Sequence, residues 1–101
     1  MCTLILFYKL FGDAPIVALH NRYAKVETLE YPPRVTRDRY KVYGPLDVAS
    51  MGTWVGFNER GLYVAVTDQH SGDVEAVKKS RGKLISYLLG SFSTAEEATA
   101  F

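Results

Sequence analysis

The stretch Met1-Cys2-Thr3-Leu4-Ile5-Leu6-Phe7-Tyr8 opens the chain and organises the expected fold. Its apolar residues fall on both faces of an extended backbone, a pattern typical of a buried strand in the centre of a sheet. Cys2 is the only cysteine in the sequence and lies directly ahead of this run. We therefore expect a buried central strand that presents Cys2 at its beginning.

The position of Cys2 gives its thiol a candidate catalytic role. Cysteine is small enough for the initiator methionine to be removed before it, which would leave a thiol and an α-amino group on one residue. Such an amine can act as general base for its own side chain, as in N-terminal threonine hydrolases. If Met1 stays in place, this mechanism is excluded. The alternative is that Cys2 packs as a small apolar residue, the commoner role of an unpaired cysteine.

Composition limits the class of protein. The chain has 101 residues, 48% of them hydrophobic, and a formal net charge of +1. This predicts a globular single domain, or the N-terminal fragment of a larger one, over residues 1–101. The charge lacks the basic excess of a nucleic-acid-binding protein.

Cysteine usage and hydropathy indicate the compartment. A single cysteine excludes an internal disulfide framework and a cysteine-based zinc site, and it fits a reducing environment. The N-terminal apolar run is short and is followed by Lys9 and Asp13, unlike a signal peptide. No run approaches the ~18 apolar residues needed to span a bilayer. We expect a soluble cytoplasmic protein that needs no metal or cofactor.

Two hairpins follow from the pattern of apolar runs and turns. The apolar run 16–20 follows the turn-rich segment 11–15 and should pair with the first strand. Segments 53–57 and 62–67 are rich in aromatic and β-branched residues and are joined by Asn58-Glu59-Arg60-Gly61. This second pair is the clearest local signal in the chain and predicts a hairpin with a longer loop.

The segment 21–43 mixes arginines with tyrosines and contains Pro32-Pro33, which stops a helix and favours an extended loop. Basic and aromatic residues together can bind nucleic acid. The acidic residues Glu27, Glu30 and Asp38 in the same stretch favour a solvated loop or an edge strand instead. We predict a short edge strand over 42–46 and a turn-like segment over 49–52.

Helices are predicted near the C-terminus. Leucine and isoleucine recur at helical spacing within 74–89, with Gly90 placed to end the helix. Ser93 and Glu96 have the spacing of a capping box, so a second helix should begin near Thr94. A helix that ends at Phe101 is short. We expect either a fragment of a longer chain or a protein completed by self-association or a second chain.

Several short motifs together resemble one family. Their order and spacing are similar to the NRDE family, also called the transport-and-Golgi-organisation protein 2 family, over nearly the whole chain. The motifs are Met1-Cys2, Asn21-Arg22, Gly52-Thr53-Trp54-Val55-Gly56, Arg60-Gly61-Leu62, Ala65-Val66-Thr67 and Ser80-Arg81-Gly82-Lys83-Leu84-Ile85. Segment 58–65 is also similar to a hairpin of the choloylglycine and penicillin V acylases.

The resemblance implies a fold and a site. The fold would be α+β, an N-terminal-nucleophile-hydrolase-like αββα sandwich of antiparallel sheets, with only its N-terminal part in this chain. Cys2 would be the nucleophile, Arg22 a catalytic pocket residue and Asp68 the catalytic residue at the oxyanion-hole position. The chain departs from the family pattern at Tyr23 and Ala24, which replace two carboxylates, and at Asp68, where asparagine is usual.

Asp68 affects the expected mechanism directly. In the related acylases, an asparagine at the equivalent place resembles an oxyanion-hole donor. An ionised aspartate only accepts hydrogen bonds, so Asp68 would have to be protonated or be replaced by a donor such as Gln69. We assign Asn21, Trp54 and Gln69 as candidate substrate-binding residues. Trp54 has a core position as its alternative, the commoner role of aromatic residues in strands.

Two functions follow from the resemblance. The first is an amide hydrolase or acyltransferase that acts on a small-molecule amide through Cys2. The second is a non-catalytic carrier of a hydrophobic small molecule, a lipid or haem, because family members have been connected with both. His20 or His70 would then be the axial ligand of a haem, although a lone histidine is more often an ordinary polar residue. A third alternative is a remnant whose sheet edge pairs with another chain.

Overall fold

The computed structural model describes residues 2–68 and 80–101. These residues form an α+β fold with antiparallel sheets and two short helices. The elements are β1 Thr3–Phe11, β2 Ala14–Asn21, β3 Glu30–Arg37, β4 Lys41–Asp47, β5 Val55–Asn58, β6 Tyr63–Ala65, α1 Arg81–Ser91 and α2 Ala95–Ala100. The backbone divides into two compact units, one holding β1 and β2 and the other holding β3 to β6 with both helices.

The first unit is the predicted hairpin of β1 and β2. The two strands pair in antiparallel register from Thr3↔Asn21 to Tyr8↔Ile16. The register then shifts before the turn, where Lys9 adopts a φ of 55°. Gly12, at the turn itself, has a φ of 30°, a conformation that glycine adopts more easily than other residues.

The prediction that β1 is a buried central strand is wrong. Eight of its nine residues are exposed, and Phe7 alone is half-buried. Among the described residues β1 pairs on one side only, with β2, in a two-stranded sheet. The apolar run has the composition of a central strand, but composition cannot show how many strands pair with it.

The second unit is built on a four-stranded antiparallel sheet in the order β3-β4-β5-β6. The predicted hairpin of β5 and β6 is confirmed, with Val55 opposite Ala65 and Phe57 opposite Tyr63. Gly61 in the connecting loop has a φ of 87°. Local composition could predict this hairpin because its two strands follow each other in the chain and pair directly across a short loop.

The segment with Pro32-Pro33 is a strand rather than the extended loop favoured by its prolines. It forms β3, which lies at the edge of the sheet. The β3–β4 register shifts between Tyr31 and Arg34, so the two prolines interrupt the ladder where pairing is irregular. Proline is tolerated at sheet edges and bulges because no hydrogen bond of its own is needed there. The edge-strand alternative is therefore confirmed.

The strand predicted over 42–46 is β4, and it is not an edge strand. It lies between β3 and β5 and pairs with both. Val42 is 8% exposed and contributes to the core. The prediction failed because the Pro32-Pro33 stretch was left open between a solvated loop and an edge strand, and only the strand gives β4 a neighbour on its other side.

Helix α1 packs on one face of this sheet. Its Ile85 and Leu89 form the core with Val42 and Leu62. The helix was predicted within 74–89, but it extends to Ser91, and Gly90 lies inside it instead of ending it. Gly90 is buried, and a Cβ there would lie 3.0 Å from the Cβ of Asp38. Close packing, rather than helix termination, explains this glycine. Residues 74–79 of the predicted helix lie outside the described part of the chain.

Helix α2 begins where predicted, but its cap is shifted by one residue. Thr94 is the N-cap, and its Oγ1 accepts a hydrogen bond from the N–H of Glu97 at 3.2 Å. The carboxylate of Glu97 in turn accepts from the N–H and hydroxyl of Ser93. The motif is therefore Thr94 with Glu97, not Ser93 with Glu96. The sequence contains both spacings, and the φ and ψ of Thr94 decide between them.

Asn58 joins the β5–β6 hairpin to the end of α1. It is 3% exposed, and its Nδ2 donates to the carbonyl oxygens of Leu89 and Phe92 at 2.9 and 2.7 Å. Its Oδ1 accepts from the N–H groups of Arg60 and Leu62, both at 3.0 Å. The side chain thus shapes the loop and also satisfies two carbonyls at the helix end, which lack partners within the helix.

Candidate functional site

Cys2 lies at the beginning of the β1–β2 hairpin, beside the end of β2. Thr3 pairs with Asn21, so the same antiparallel register places Cys2 opposite Arg22. Side chains alternate between the faces of a strand, and exposure follows this alternation. His20 and Arg22 are half-buried, whereas Leu19, Asn21 and Tyr23 are exposed. The half-buried face that we call the cysteine face therefore carries Cys2, His20 and Arg22.

The sulfur of Cys2 has a backbone partner. The N–H of Tyr23 donates a hydrogen bond to Sγ of Cys2 at 3.4 Å. The side chain of Tyr23 is 71% exposed. This residue, which stands where the family pattern has a carboxylate, thus contributes its main chain to the surroundings of the thiol.

His20 has an unusual environment on the same face. Both its ring nitrogens, Nδ1 and Nε2, are buried and have no hydrogen-bond partner among the described residues. Burial, and to a smaller extent the positive charge of Arg22, lowers the pKa of His20 below its ordinary value of 6.5. The imidazole is therefore neutral at pH 7. From the sequence, His20 was a candidate haem ligand, with an ordinary polar role as the alternative. His20 ends the predicted second strand and Arg22 lies two residues later, so the alternation of side chains continued past the strand end is the signal that places both on the cysteine face.

The remaining predicted site residues are not all brought together. Asn21 lies on the opposite face of β2 from Arg22 and is exposed. Trp54 belongs to the second unit, where it is half-buried and its carbonyl accepts from the N–H of Val66 at 2.9 Å. Asp68 is exposed and lies at the end of the described segment. Gln69 and His70 lie outside the described residues.

The second unit contains a cavity of about 300 Å³ between the sheet and α1. Its walls include Thr36, Asp38, Ser86 and Tyr87. No residue predicted for the site lines it.

Within residues 2–68 and 80–101, no group of three or more histidine, cysteine, aspartate or glutamate side chains has the arrangement of a metal site. No helix in the described segments is long and apolar enough to cross a membrane.

Two glycine-containing motifs named in the sequence meet in the second unit. The N–H of Thr53 donates to the carbonyl of Gly82 at 3.2 Å. A Cβ on Gly52 would lie 2.6 Å from that carbonyl oxygen and 2.7 Å from the nitrogen of Lys83. The start of α1 therefore packs backbone to backbone against the segment ahead of β5, which only glycine permits.

A family model described as Transport and Golgi organisation 2 matches residues 1–101. The chain belongs to the Transport and Golgi organisation 2 family.

Membership in the Transport and Golgi organisation 2 family confirms the resemblance predicted from the motifs. No curated protein and no solved structure matches the chain. Two of the motifs that carry the resemblance, around Gly52 and Gly82, now have a packing role in the second unit. The motifs around Cys2 and Arg22 lie instead on the cysteine face of the first unit.

Proposed function

We propose that the protein is an amide hydrolase or acyltransferase in which Cys2, after removal of Met1, is the nucleophile. The proposal includes the sandwich fold of the N-terminal-nucleophile hydrolases as the scaffold. Family membership and the position of the sole cysteine support it. The observation that carries it is the hydrogen bond from the N–H of Tyr23 to Sγ of Cys2, on the face that also holds Arg22.

The N–H of Tyr23 and the guanidinium of Arg22 would serve different parts of the reaction. An N–H donor stabilises negative charge on the sulfur as the thiol loses its proton. The guanidinium of Arg22 is always protonated and can donate to a carbonyl or carboxylate of the substrate. These two groups favour a small amide that carries a carboxylate or another polar group near the bond to be broken.

The reaction would proceed in two steps. The thiol proton moves to a base, the sulfur attacks the amide carbonyl, and the amine leaves with a proton to give a thioester. Water or an acceptor amine then attacks the thioester and releases the cysteine. The α-amine of Cys2 is one base available to the processed chain. Asp68, if ionised, supplies no oxyanion donor, so the negative charge on the carbonyl oxygen requires another donor.

The proposal is tested with purified protein whose N-terminus has been defined by mass spectrometry. Hydrolysis of a panel of acyl amides, including N-acyl amino acids, is measured for the native chain and for Cys2→Ala. We expect loss of hydrolysis in Cys2→Ala and one label per native chain with iodoacetamide, since the sequence has one cysteine. Thr3→Ala, next to Cys2, is the control. Full activity of Cys2→Ala would refute the proposal.

A second candidate function is carriage of a lipid or haem. The replacement of two carboxylates by Tyr23 and Ala24, together with Asp68, favours it because a carrier needs no oxyanion hole. His20, whose ring nitrogens have no hydrogen-bond partner in the described residues, would be its haem ligand. Titration with haem and with acyl-CoA would test this function. A carrier should bind one of them with an affinity that Cys2→Ala leaves unchanged, while neither protein hydrolyses an amide.

A further inference from the structure

His20 is a half-buried titratable residue that the proposed reaction does not use. Both ring nitrogens are enclosed without a hydrogen-bond partner among the described residues. A buried polar atom that lacks a partner costs free energy, on the order of 1–3 kcal/mol. Such a group is stabilised by any donor that comes within reach, and the register places Cys2 and Arg22 on its face of the hairpin.

The register of the hairpin defines what lies beside His20. Leu4 pairs with His20, so Cys2 and Arg22 occupy the next positions on the same face. Cys2 is then the diagonal neighbour of His20, and diagonal neighbours in an antiparallel pair are ~7–8 Å apart between Cα atoms. Long side chains span this separation. The register therefore puts the imidazole within side-chain reach of the thiol.

Of the described side chains that the hairpin register places beside Cys2, His20 is the one that can accept a proton. Leu4 is apolar, and the guanidinium of Arg22 only donates hydrogen bonds. The same positive charge, after burial, lowers the pKa of His20 from its ordinary value of 6.5, so the imidazole is unprotonated at neutral pH. A neutral imidazole has one ring nitrogen able to accept a proton.

We infer that His20 takes the proton of the Cys2 thiol and acts as the general base of this nucleophile. The inference rests on the proposed function, because it assigns the base for the same cysteine. It also goes beyond that function, since a thiol paired with an imidazole does not need the α-amine of Cys2. The nucleophile can then work whether or not Met1 has been removed.

The proton and the electrons balance in each step. The S–H bond breaks, the proton goes to a ring nitrogen of His20, and the electron pair stays on sulfur. Sulfur forms a bond to the carbonyl carbon, and the C–N bond breaks as the leaving nitrogen takes the proton from the imidazolium. In the second step, water gives its proton to His20 while its oxygen bonds to the carbonyl carbon. The C–S bond then breaks, and the sulfur regains a proton from the imidazolium.

The rate of thiol alkylation tests the pair without requiring a substrate. Iodoacetamide alkylation of Cys2 is measured from about pH 6 to pH 10 for the full chain, His20→Gln, His20→Ala and Leu19→Gln. Leu19 is the adjacent exposed residue on the opposite face and serves as the control. General bases contribute typically 10²–10⁴-fold to proton transfer, so we expect His20→Gln to be at least about tenfold slower at pH 7. The two alkylation rates should become equal near pH 10, where a thiol is ionised without the help of a base.

Two further measurements separate a base from a residue that only supports the fold. Added imidazole should restore much of the lost alkylation rate in His20→Ala, and circular dichroism should show both variants folded. A chain extended before Met1, which blocks the α-amine, should keep a neutral-pH alkylation rate within about twofold of the processed chain. A pH profile unchanged in His20→Gln, or an extended chain as slow as His20→Gln, would overturn the inference.

Amide turnover distinguishes failure of this inference from failure of the proposed function. If Cys2→Ala abolishes turnover while His20→Gln retains it, the proposed function stands and His20 is not the base. If Cys2→Ala retains turnover, the proposed function fails, and the alkylation profile still decides whether His20 accepts the thiol proton. Loss of both turnover and alkylation rate in His20→Gln, with folding intact, supports both.

Discussion

The Nδ2 of Asn58 lies 2.7 Å from the carbonyl oxygen of Phe92 and joins the β5–β6 hairpin to the residue that caps α1. The same nitrogen donates to Leu89, and Oδ1 accepts from two N–H groups of the loop. Every hydrogen-bonding atom of this buried side chain is thus used. Such a network stabilises the fold only while it is complete, because each lost partner leaves a buried polar group unpaired.

We expect Asn58→Ala to lower the free energy of unfolding by about 3 kcal/mol, since two carbonyls and two N–H groups lose a partner. Asn58→Asp should also destabilise, because a carboxylate cannot donate to the carbonyls of Leu89 and Phe92. Urea denaturation followed by circular dichroism measures both effects. Asn21→Ala, at an exposed asparagine, should change stability by less than about 0.5 kcal/mol. Equal effects at the two asparagines would contradict the role of Asn58.

Gly52→Ala should destabilise the second unit by roughly 3 kcal/mol. The added Cβ would collide with the backbone of Gly82 and Lys83, which cannot move without displacing the start of α1. Thermal unfolding gives the measurement. The matched control is Gly61→Asn, because a side chain at Gly61 meets no atom within 4 Å and its only cost is backbone strain at a φ of 87°, which asparagine adopts more readily than most residues. If Gly52→Ala unfolds at the same temperature as the native chain, the close approach of the two motifs is wrong.

Tyr63→Phe should be neutral or stabilising. The hydroxyl of Tyr63 is buried and has no hydrogen-bond partner among the described residues, and burial raises its pKa above 10.0. Its removal eliminates a desolvated polar group while the ring stays in place, which should raise stability by about 1 kcal/mol or less. For a domain of this size, 1 kcal/mol corresponds to roughly 4–8 °C in Tm. A fall of several degrees would show that the hydroxyl has a partner, such as an ordered water.

Stability should decrease in acid because of His20. Its pKa in the folded state lies below 6.5, so the unfolded chain binds a proton at His20 before the folded chain does. The contribution of His20 to stability is therefore fully present above pH 6.5 and is lost as the pH falls towards the lower folded pKa.

The difference in free energy of unfolding between the native chain and His20→Gln isolates this effect, because the other titrating groups are shared. We expect the native chain to lose stability relative to His20→Gln as the pH is lowered from about 7.5 to 5. Urea titrations at several pH values measure it. A difference that stays constant over this range would show that His20 titrates alike in the folded and unfolded states.

Local sequence patterns predicted elements whose contacts lie close in the chain. The β5–β6 hairpin, the β1–β2 hairpin and the start of α2 near Thr94 follow from turn residues and short periodic runs. These patterns did not predict whether a strand lies at the edge or in the interior of a sheet, as β1 and β4 show. That property depends on which strands become neighbours, and residues far apart in the chain decide it.

The candidate site was predictable to a similar extent. Cys2 and Arg22 were assigned from the resemblance, and the register of the hairpin places them opposite each other. The burial of the His20 ring nitrogens without a partner in the described part of the chain was not predictable, because a histidine in a strand gives no sign of what covers it. The hydrogen bond from Tyr23 to Cys2 was also missed, since it uses a backbone group that every residue type except proline provides.

The sequence by itself determined the family, the two hairpins, the helical C-terminal region and the position of the single thiol ahead of the first strand. Tertiary structure alone decided that Asn58 is a buried link to residues 31 and 34 positions away, and that Gly52 meets Gly82. The physical reason is the range of the forces involved. Turn chemistry and periodicity act within a few residues, whereas burial, close backbone contact and the partners of a buried polar atom exist only after distant segments have packed.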